Sequence, residues 1–558
     1  MSARRTLRSD LKPAVEIKVE VFFNGGTRVA CVTMGEPASA PQAPPAEGEG
    51  EEAPGDAEEA GTPEQQHAQN VDATIKYINE VVGPSVEGIA AKSTRELDDK
   101  LKELPAAPTT LTSLALAEAG AFCVEEPLFL FVAKAVQELL LQGEVALGGG
   151  HLVDVPSAKQ LELDDEKPAP AAPDAEPAGS VEGEGEAEKP FVPQGLPVRL
   201  PALLFPAFSV GPTVDGAESK VRFKKLWLMS PHDAPLREAV PRMTAAYRAL
   251  ETAMAAKARE APPEEGGAGE GGARVADDEG FFLAPTAENV GEILGLIEAA
   301  VTAAGLVYGE DVLVCVNMGA HDFFVPNSLE VGTYAYRPEG EAEGALSVEA
   351  DGWADWVCSF LDSNPAVAAI EDVAANEDYE TWRKVRLAVE AREKRVTLLG
   401  ADLYDKGPTN VTDLYRAGVA EGWAAGAVLS AASLGTLSDV LDNATMFTAI
   451  RPPARALRVL LAHRAGERAG EADADVAVGI GAWGLKCGPP CAATVGKLNR
   501  LLWIEEQLET MLAAAKGGQP EALMAQTAHL QRWEQVYEEE DRLSAMYAAE
   551  AQEASMGP

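Results

Sequence analysis

The chain has 558 residues, of which 46 are basic and 89 acidic, giving a net charge of −43. So large an acidic excess argues against a nucleic-acid partner, which needs clustered Lys and Arg, and against the anionic face of a membrane. Hydrophobic residues make up 46% of the chain, enough to build cores for about three domains, or for two if one is a barrel.

No run of 18 apolar residues occurs. The longest candidate, 111–141, is broken by Glu118, Glu125, Glu126, Lys134 and Glu138, so no transmembrane helix is expected. The opening MSARRTLRSDLK has no apolar h-region, and no secretory signal is expected. Six scattered cysteines are too sparse for a disulfide scaffold and fit a reducing compartment. Cys487 and Cys491 have no second Cys or His pair nearby, which disfavours zinc. A soluble, cytoplasmic protein is expected.

In chain order, Ala14 to Met34 alternates apolar and polar residues around Asn-Gly-Gly, which predicts a β-hairpin. Segment 36–70 is Ala, Pro, Gly and Glu without Lys or Arg and reads as a disordered acidic insertion. Helical periodicity follows over 71–104 and 110–142. Segments 162–190 and 259–274 repeat the acidic Pro/Gly-rich character. From about 196, short apolar runs alternate with amphipathic stretches. The runs are 226–229, 312–317, 366–371, 395–400, 425–430, 457–462 and 476–480. Helices are predicted over Ala287 to Ala304 with Thr286 as N-cap, Thr381 to Glu393 and Thr436 to Thr448. Seven or eight such units favour a parallel (β/α)₈-type barrel. Lys497 to Met511 is amphipathic. A last helix is predicted over about 521–552, with Leu523, Leu530, Trp533, Val536, Tyr537 and Leu543 as its apolar stripe, packing on the barrel or docking to a partner.

The predicted class is therefore α/β. An α+β N-terminal domain spans 1–160, and an acidic linker spans 161–195. A barrel spans 196–510, and a helical extension spans 511–558. Barrel chemistry lies at the C-terminal strand ends. The runs close on Asn317, Glu371 with Asp372, Ala401 with Asp402, Ser430, and His463 with Arg464, while Lys486 follows a Gly-rich stretch. Glu279 lies in ADDEGFFLAP, ahead of a helix.

The order of these segments resembles the enolase family. Residues 463–509, HRAGERAGEADADVAVGIGAWGLKCGPPCAATVGKLNRLLWIEEQLE, are similar to its HRSGETED, a strand ending in IKTGAP, and RLAKYNxLLRIEEEL. DDEGFFLAP (277–285) resembles GDEGGxAP, CVNMGAHDFF (315–324) resembles LDxAxSEFF, and IEDVAANEDYETW (370–382) resembles IEDPFxExDWxxW. GADL (400–403) and SAASLGTLSD (430–439) resemble GDDLxVTN and KxNQIGTLSE. The N-terminal region matches in outline, and the resemblance implies an enolase-type α+β domain before the barrel.

Enolases convert 2-phosphoglycerate to phosphoenolpyruvate with a Lys base, a Glu acid and two Mg²⁺ ions that stabilise the enolate. Carried onto this chain, the resemblance places the acid at Glu279 and substrate binding at His463, Arg464 and Lys486. The three metal carboxylates fall on Asn317, Glu371 and Ala401, the base on Ser430, and a substrate Ser on Ala465. The family's GGSHAGG loop and the Glu after it have no counterpart. No shift restores the base, because no Lys or Arg occurs from Ala417 to Ile450. No shift restores the loop His, because none lies between 152 and 231. Asp402 is the neighbouring substitute for Ala401, but one residue along a strand points to the other face.

The expected function is an impaired pseudoenzyme reused as a structural or assembly component. The alternative is an active or weak phosphopyruvate hydratase, a lyase of glycolysis, and binding of a phosphorylated ligand without turnover lies between the two. No cofactor is expected, and Mg²⁺ is the one the resemblance implies. The degenerate site and the insertions resemble the enolase 4-type branch, which implies protein partners (a self-dimer or a cytoskeletal assembly) and a place in the flagellar axoneme.

Overall fold

Alternation along Pro13–Phe23 buries Val15, Ile17 and Val19 on one face of a strand. In the computed structural model this strand lies between Ser2–Leu7 and Gly26–Thr33 in an antiparallel sheet. The structure describes residues 1–7, 13–23, 26–33, 63–104, 109–141, 196–210, 213–214, 217–218, 223–260, 276–277, 279–283, 287, 289–325, 333–336, 346–348, 350–392, 395–404, 418, 422–430, 434–448, 458–462, 472–492, 494–516, 528–530, 533, 535–538, 540–542 and 545–546. The predicted hairpin is present, with Ser2–Leu7 as a third strand that the pattern did not flag.

Helices Pro63–Tyr77, Thr94–Lys102, Thr109–Cys123 and Leu128–Leu141 follow. Ala115, Leu116 and Ala119 pack with Val15, Ile17, Val71 and Ile78 in the core of this domain. Pro63–Tyr77 is helical, so the segment 36–70 is not irregular to its end; positions 36–62 lie outside the described residues, as do 162–190 and 261–274.

Eight strands close the barrel: Ala202–Ser209, Lys225–Met229, Leu313–Asn317, Val367–Glu371, Thr397–Gly400, Gly426–Ser430, Arg458–Ala462 and Gly484–Lys486. The eighth pairs with the first, Gly484 opposite Ala202 and Lys486 opposite Leu204. Their residues alternate between two cores. Ala202, Leu204, Trp227, Met229, Cys315, Ala369, Leu399 and Leu460 fill the barrel interior. Leu203, Phe205, Leu226, Leu228, Val314, Val316, Ile370 and Leu398 face the surrounding helices. Burial on both faces explains the unbroken apolar runs.

Three expectations need correction. The second strand runs antiparallel to both neighbours, because the first two strands are joined directly rather than through a crossover helix. The run 476–480 lies in and just after the helix Ala472–Gly479, which packs on Leu128–Leu141, and the eighth strand is Gly484–Lys486. A fully buried helix and a buried strand share the same apolar composition. The helix after the acidic insertion starts at Val290, capped by Asn289, whose side chain accepts from Glu292 N at 2.9 Å. The first barrel strand, ALLFPAFS, had no place among the predicted runs.

Helix Val495–Lys516 matches its prediction. Beyond it the predicted helix over about 521–552 is not continuous: Ala528–Leu530 is a strand paired with Leu196–Val198, while Trp533 and 535–538 are helical; 521–527 lie outside the described residues. Trp533 and Val536 are buried in the barrel interior, so this extension packs on its own barrel.

Candidate functional site

The inward alternation places several polar groups at one barrel mouth. Asn317 ends the third strand two residues beyond inward-facing Cys315. It stands in register with Glu371 of the fourth strand and Lys225 of the second. Lys486 ends the eighth strand. Glu371 is fully buried. Its Oε2 accepts from Lys486 Nζ at 2.9 Å and from Asn317 Nδ2 at 3.3 Å. Its Oε1 faces the Cys315 thiol at 3.6 Å. Burial, and then the Glu371 charge, push that thiol far above its ordinary range, so it stays protonated and can donate. The Lys486 ammonium also lies 4.0 Å from the centre of the Trp227 ring, a cation–π contact between two buried residues.

Asp372 ties the neighbouring turn to this group. Its backbone is left-handed, with φ 49°. The strained conformation is fixed on both sides, by Ala320 N on its carbonyl at 3.0 Å and by its own N–H on Leu399 O at 3.0 Å. Its carboxylate accepts the backbone N–H groups of Ala401 at 2.8 Å and Asp402 at 3.0 Å, and Asn317 Nδ2 at 3.3 Å. Burial, then the Asp402 charge, push its pKa up to about 7.

Two further lysines engage the remaining carboxylates. Lys224 Nζ donates to Asp402 Oδ2 at 2.7 Å and lies 3.6 Å from Asp322. Burial opposes its charge, but Asp402 outweighs burial and its pKa is raised. Gly319 lets the lysine stem pass: a Cβ there would lie 2.5 Å from Lys224 Cδ, and the backbone has φ 54°. Lys225 Nζ donates to Glu279 Oε2 at 2.5 Å and sits 4.6 Å from the Phe281 ring. Phe281 in turn packs edge-on against Trp227, 5.4 Å between centroids.

The structure thus brings Asn317, Glu371 and Lys486 into direct contact. Asp402 joins them through Asp372, and Glu279 through Lys225. Ala401 contributes its N–H and a methyl group. Ser430 ends the sixth strand in register with Ala462, so a hydroxyl stands where the resemblance puts the base. His463 and Arg464 lie outside the described residues.

Residues 201–520 match the family described as enolase, C-terminal TIM barrel domain. The chain belongs to the enolase family. At the three positions where the enolase pattern has metal carboxylates, one carboxylate remains, and Lys486 already neutralises it. Asn317 turns its amide N–H₂ toward Glu371 and Asp372, and among the described residues its buried Oδ1 has no partner. A hard divalent cation needs several anionic or carbonyl oxygens free to converge, and this donor set does not fit Mg²⁺. Among the described residues no group of three His, Cys, Asp or Glu could hold a metal, and no helix is long and apolar enough to cross a membrane.

Sequence reasoning missed Lys224, Lys225 and Trp227. The signal was present: a Lys-Lys pair opens the run LWLM, and Lys225 shares the inward side of Trp227. The predicted run starts at Leu226, so the pair just ahead of it falls outside it. Asp372 stood beside Glu371 in the sequence, but its left-handed backbone was not visible there.

Proposed function

We propose that this enolase-family chain is catalytically impaired and serves as a structural or assembly component. The observation that carries this reading is the barrel mouth itself. Ser430 stands at the base position, and the one surviving metal carboxylate, Glu371, is paired with Lys486. Loss of a general base alone lowers a rate by about 10²–10⁴-fold, and loss of metal stabilisation adds several kcal/mol to the barrier. The degenerate site and acidic insertions support a place in the enolase 4-type branch, with protein partners in a flagellar or other cytoskeletal complex, and otherwise a cytoplasmic location.

The test is conversion of 2-phosphoglycerate in millimolar Mg²⁺, followed by the ultraviolet absorbance of phosphoenolpyruvate. Turnover below about 10⁻³ of an ordinary enolase is expected. Turnover within about tenfold of normal overturns the reading and makes the chain a phosphopyruvate hydratase, a lyase.

The same reading holds that Mg²⁺ is not a resident cofactor. A ligand at 100 times its Kd adds about 2.7 kcal/mol to folding, which raises Tm by a degree or more at this size. Thermal melts with and without millimolar Mg²⁺, alone and with phosphoenolpyruvate, should coincide. A Mg²⁺-dependent rise would mean that Asp402 leaves Lys224 and takes the place of Ala401. For the assembly role, the chain should co-fractionate with a large cytoskeletal complex. Recovery only as a free dimer would count against it.

A further inference from the structure

The opposite mouth of the barrel is framed by arginines. Arg199 precedes the first strand, Arg395 the fifth, and Arg458 opens the seventh. His232 follows the antiparallel second strand at the same end. Such a cluster is out of keeping with a chain of net charge −43. The three guanidinium groups converge on one short helical stretch. Arg199 and Arg458 stack over Trp533 at 5.1 and 5.0 Å. Arg395 and Arg458 stack over Tyr537 at 4.7 and 5.1 Å. Glu540 Oε2 accepts from Arg458 at 2.6 Å and lies 3.3 Å from Arg395. The Tyr537 hydroxyl accepts from Trp483 Nε1 at 2.9 Å. Trp533, Val536, Tyr537 and Glu540 are spaced i, i+3, i+4 and i+7, one face of a helix.

This stretch lies beyond residue 520, where the match to the enolase barrel ends. It is fastened by a strand of three residues, Ala528–Leu530, to Leu196–Val198, which is itself outside the barrel ring. The fit is also incomplete. Among the described residues, Trp533 Nε1 and Glu540 Oε1 are buried without a hydrogen-bond partner.

We propose that this mouth is a helix-binding socket, held in cis by the chain's own tail, and that it accepts an incoming acidic amphipathic helix with aromatic residues at i and i+4 and a carboxylate at i+7. Recognition is of the helix-in-groove kind, with aromatic anchors in the barrel and the carboxylate on the arginine frame. The tail is then a guard: it fills the socket at high local concentration and leaves when a helix that fits the same frame without burying an unpaired polar atom of its own displaces it.

The test uses the full chain carrying Trp533→Ala and Tyr537→Ala, which vacates the socket while keeping the tether. A fluorescein-labelled peptide of residues 525–546 is titrated against this variant and against the unaltered chain, with anisotropy as the readout. Saturable binding at least about tenfold tighter to the variant is expected, because the intact tail competes in the unaltered chain. The peptide should also raise the Tm of the variant. The same peptide with Glu540→Arg should bind at least about tenfold more weakly, since it meets Arg395 and Arg458. Equal affinity for both chains, no binding, or indifference to the charge reversal would overturn the proposal. Should the double variant fail to fold, Glu540→Arg in the full chain keeps both rings and weakens only the guard. That variant must then bind the unaltered peptide more tightly than the unaltered chain does, or the proposal fails.

Discussion

Glu371 and Lys486 are the residues on which the candidate site turns, and their energetics are asymmetric. A buried ion pair is a modest net contributor to stability, but removing one partner leaves an uncompensated charge and costs about 3–5 kcal/mol. Lys486→Met should therefore lower the unfolding free energy read from urea denaturation by about 3–5 kcal/mol, because Glu371 is fully buried. Glu371→Gln should cost less, since the amide still accepts from Lys486. The double replacement Glu371→Leu with Lys486→Met should recover most of the loss of Lys486→Met alone. A double variant as unstable as the sum of the singles would show that the two groups are not coupled. The contact itself was half legible in the sequence. Glu371 closes a predicted apolar run, and the resemblance put Lys486 at the same mouth, although the strand that carries it was not predicted. That the ammonium would sit on the carboxylate was not legible, because it depends on Asn317 and Ala401 having removed the competing charges.

At the scale of elements, period and burial were legible where a strand ends in a turn signal. Leu313–Asn317 and Arg458–Ala462 lie within predicted runs. They failed where an apolar run is helical, as in Ala472–Gly479, and where the chain doubles back, as in the first two barrel strands. The tail failed for a third reason: Leu530 fits the apolar stripe of a helix but pairs as a strand with Val198. His232, at the turn after the second strand, offers a test of the tail-capped mouth. Its ring is half-buried, 4.9 Å from Trp483 and 5.7 Å from Trp533, with Nε2 donating to Trp483 O at 2.8 Å. Burial lowers its pKa from 6.5 to about 4. The unfolded chain therefore binds the extra proton between about pH 6.5 and 4. Stability from this group is complete above that window and falls as the pH drops through it, by up to about 3 kcal/mol. Urea midpoints at pH 7 and pH 5 should differ more for the natural chain than for His232→Gln. An unchanged difference would mean that the imidazole does not carry the effect.

For the molecule as a whole, the junction between the N-terminal domain and the barrel carries the coupling. Thr436 and Asp439 form a capping box at the start of helix Leu437–Thr448, Thr436 Oγ1 accepting from Asp439 N at 3.2 Å and Asp439 Oδ2 from Thr436 N at 3.2 Å. The next two N–H groups are met from the other domain. Ser113 Oγ accepts from Leu437 N at 2.8 Å, and Asp98 Oδ2 accepts from Ser438 N at 2.9 Å. Lys102 and Arg95 add ion pairs to Asp439 and Asp442, at 2.6 Å and 2.5 Å, but these are exposed. Such pairs are worth about 0–1 kcal/mol, whereas an orphaned buried N–H costs about 1–3 kcal/mol. Asp98→Ala should thus destabilise the protein more than Arg95→Ala and Lys102→Ala do. All eight tryptophans lie beyond residue 226, in the barrel and its extension, so tryptophan fluorescence reports on the barrel although Asp98 belongs to the other domain. The expected outcome is a lower tryptophan-detected urea midpoint in Asp98→Ala. If circular dichroism shifts and the tryptophan midpoint does not, the two domains unfold independently, and the cap from Asp98 contributes nothing to the barrel.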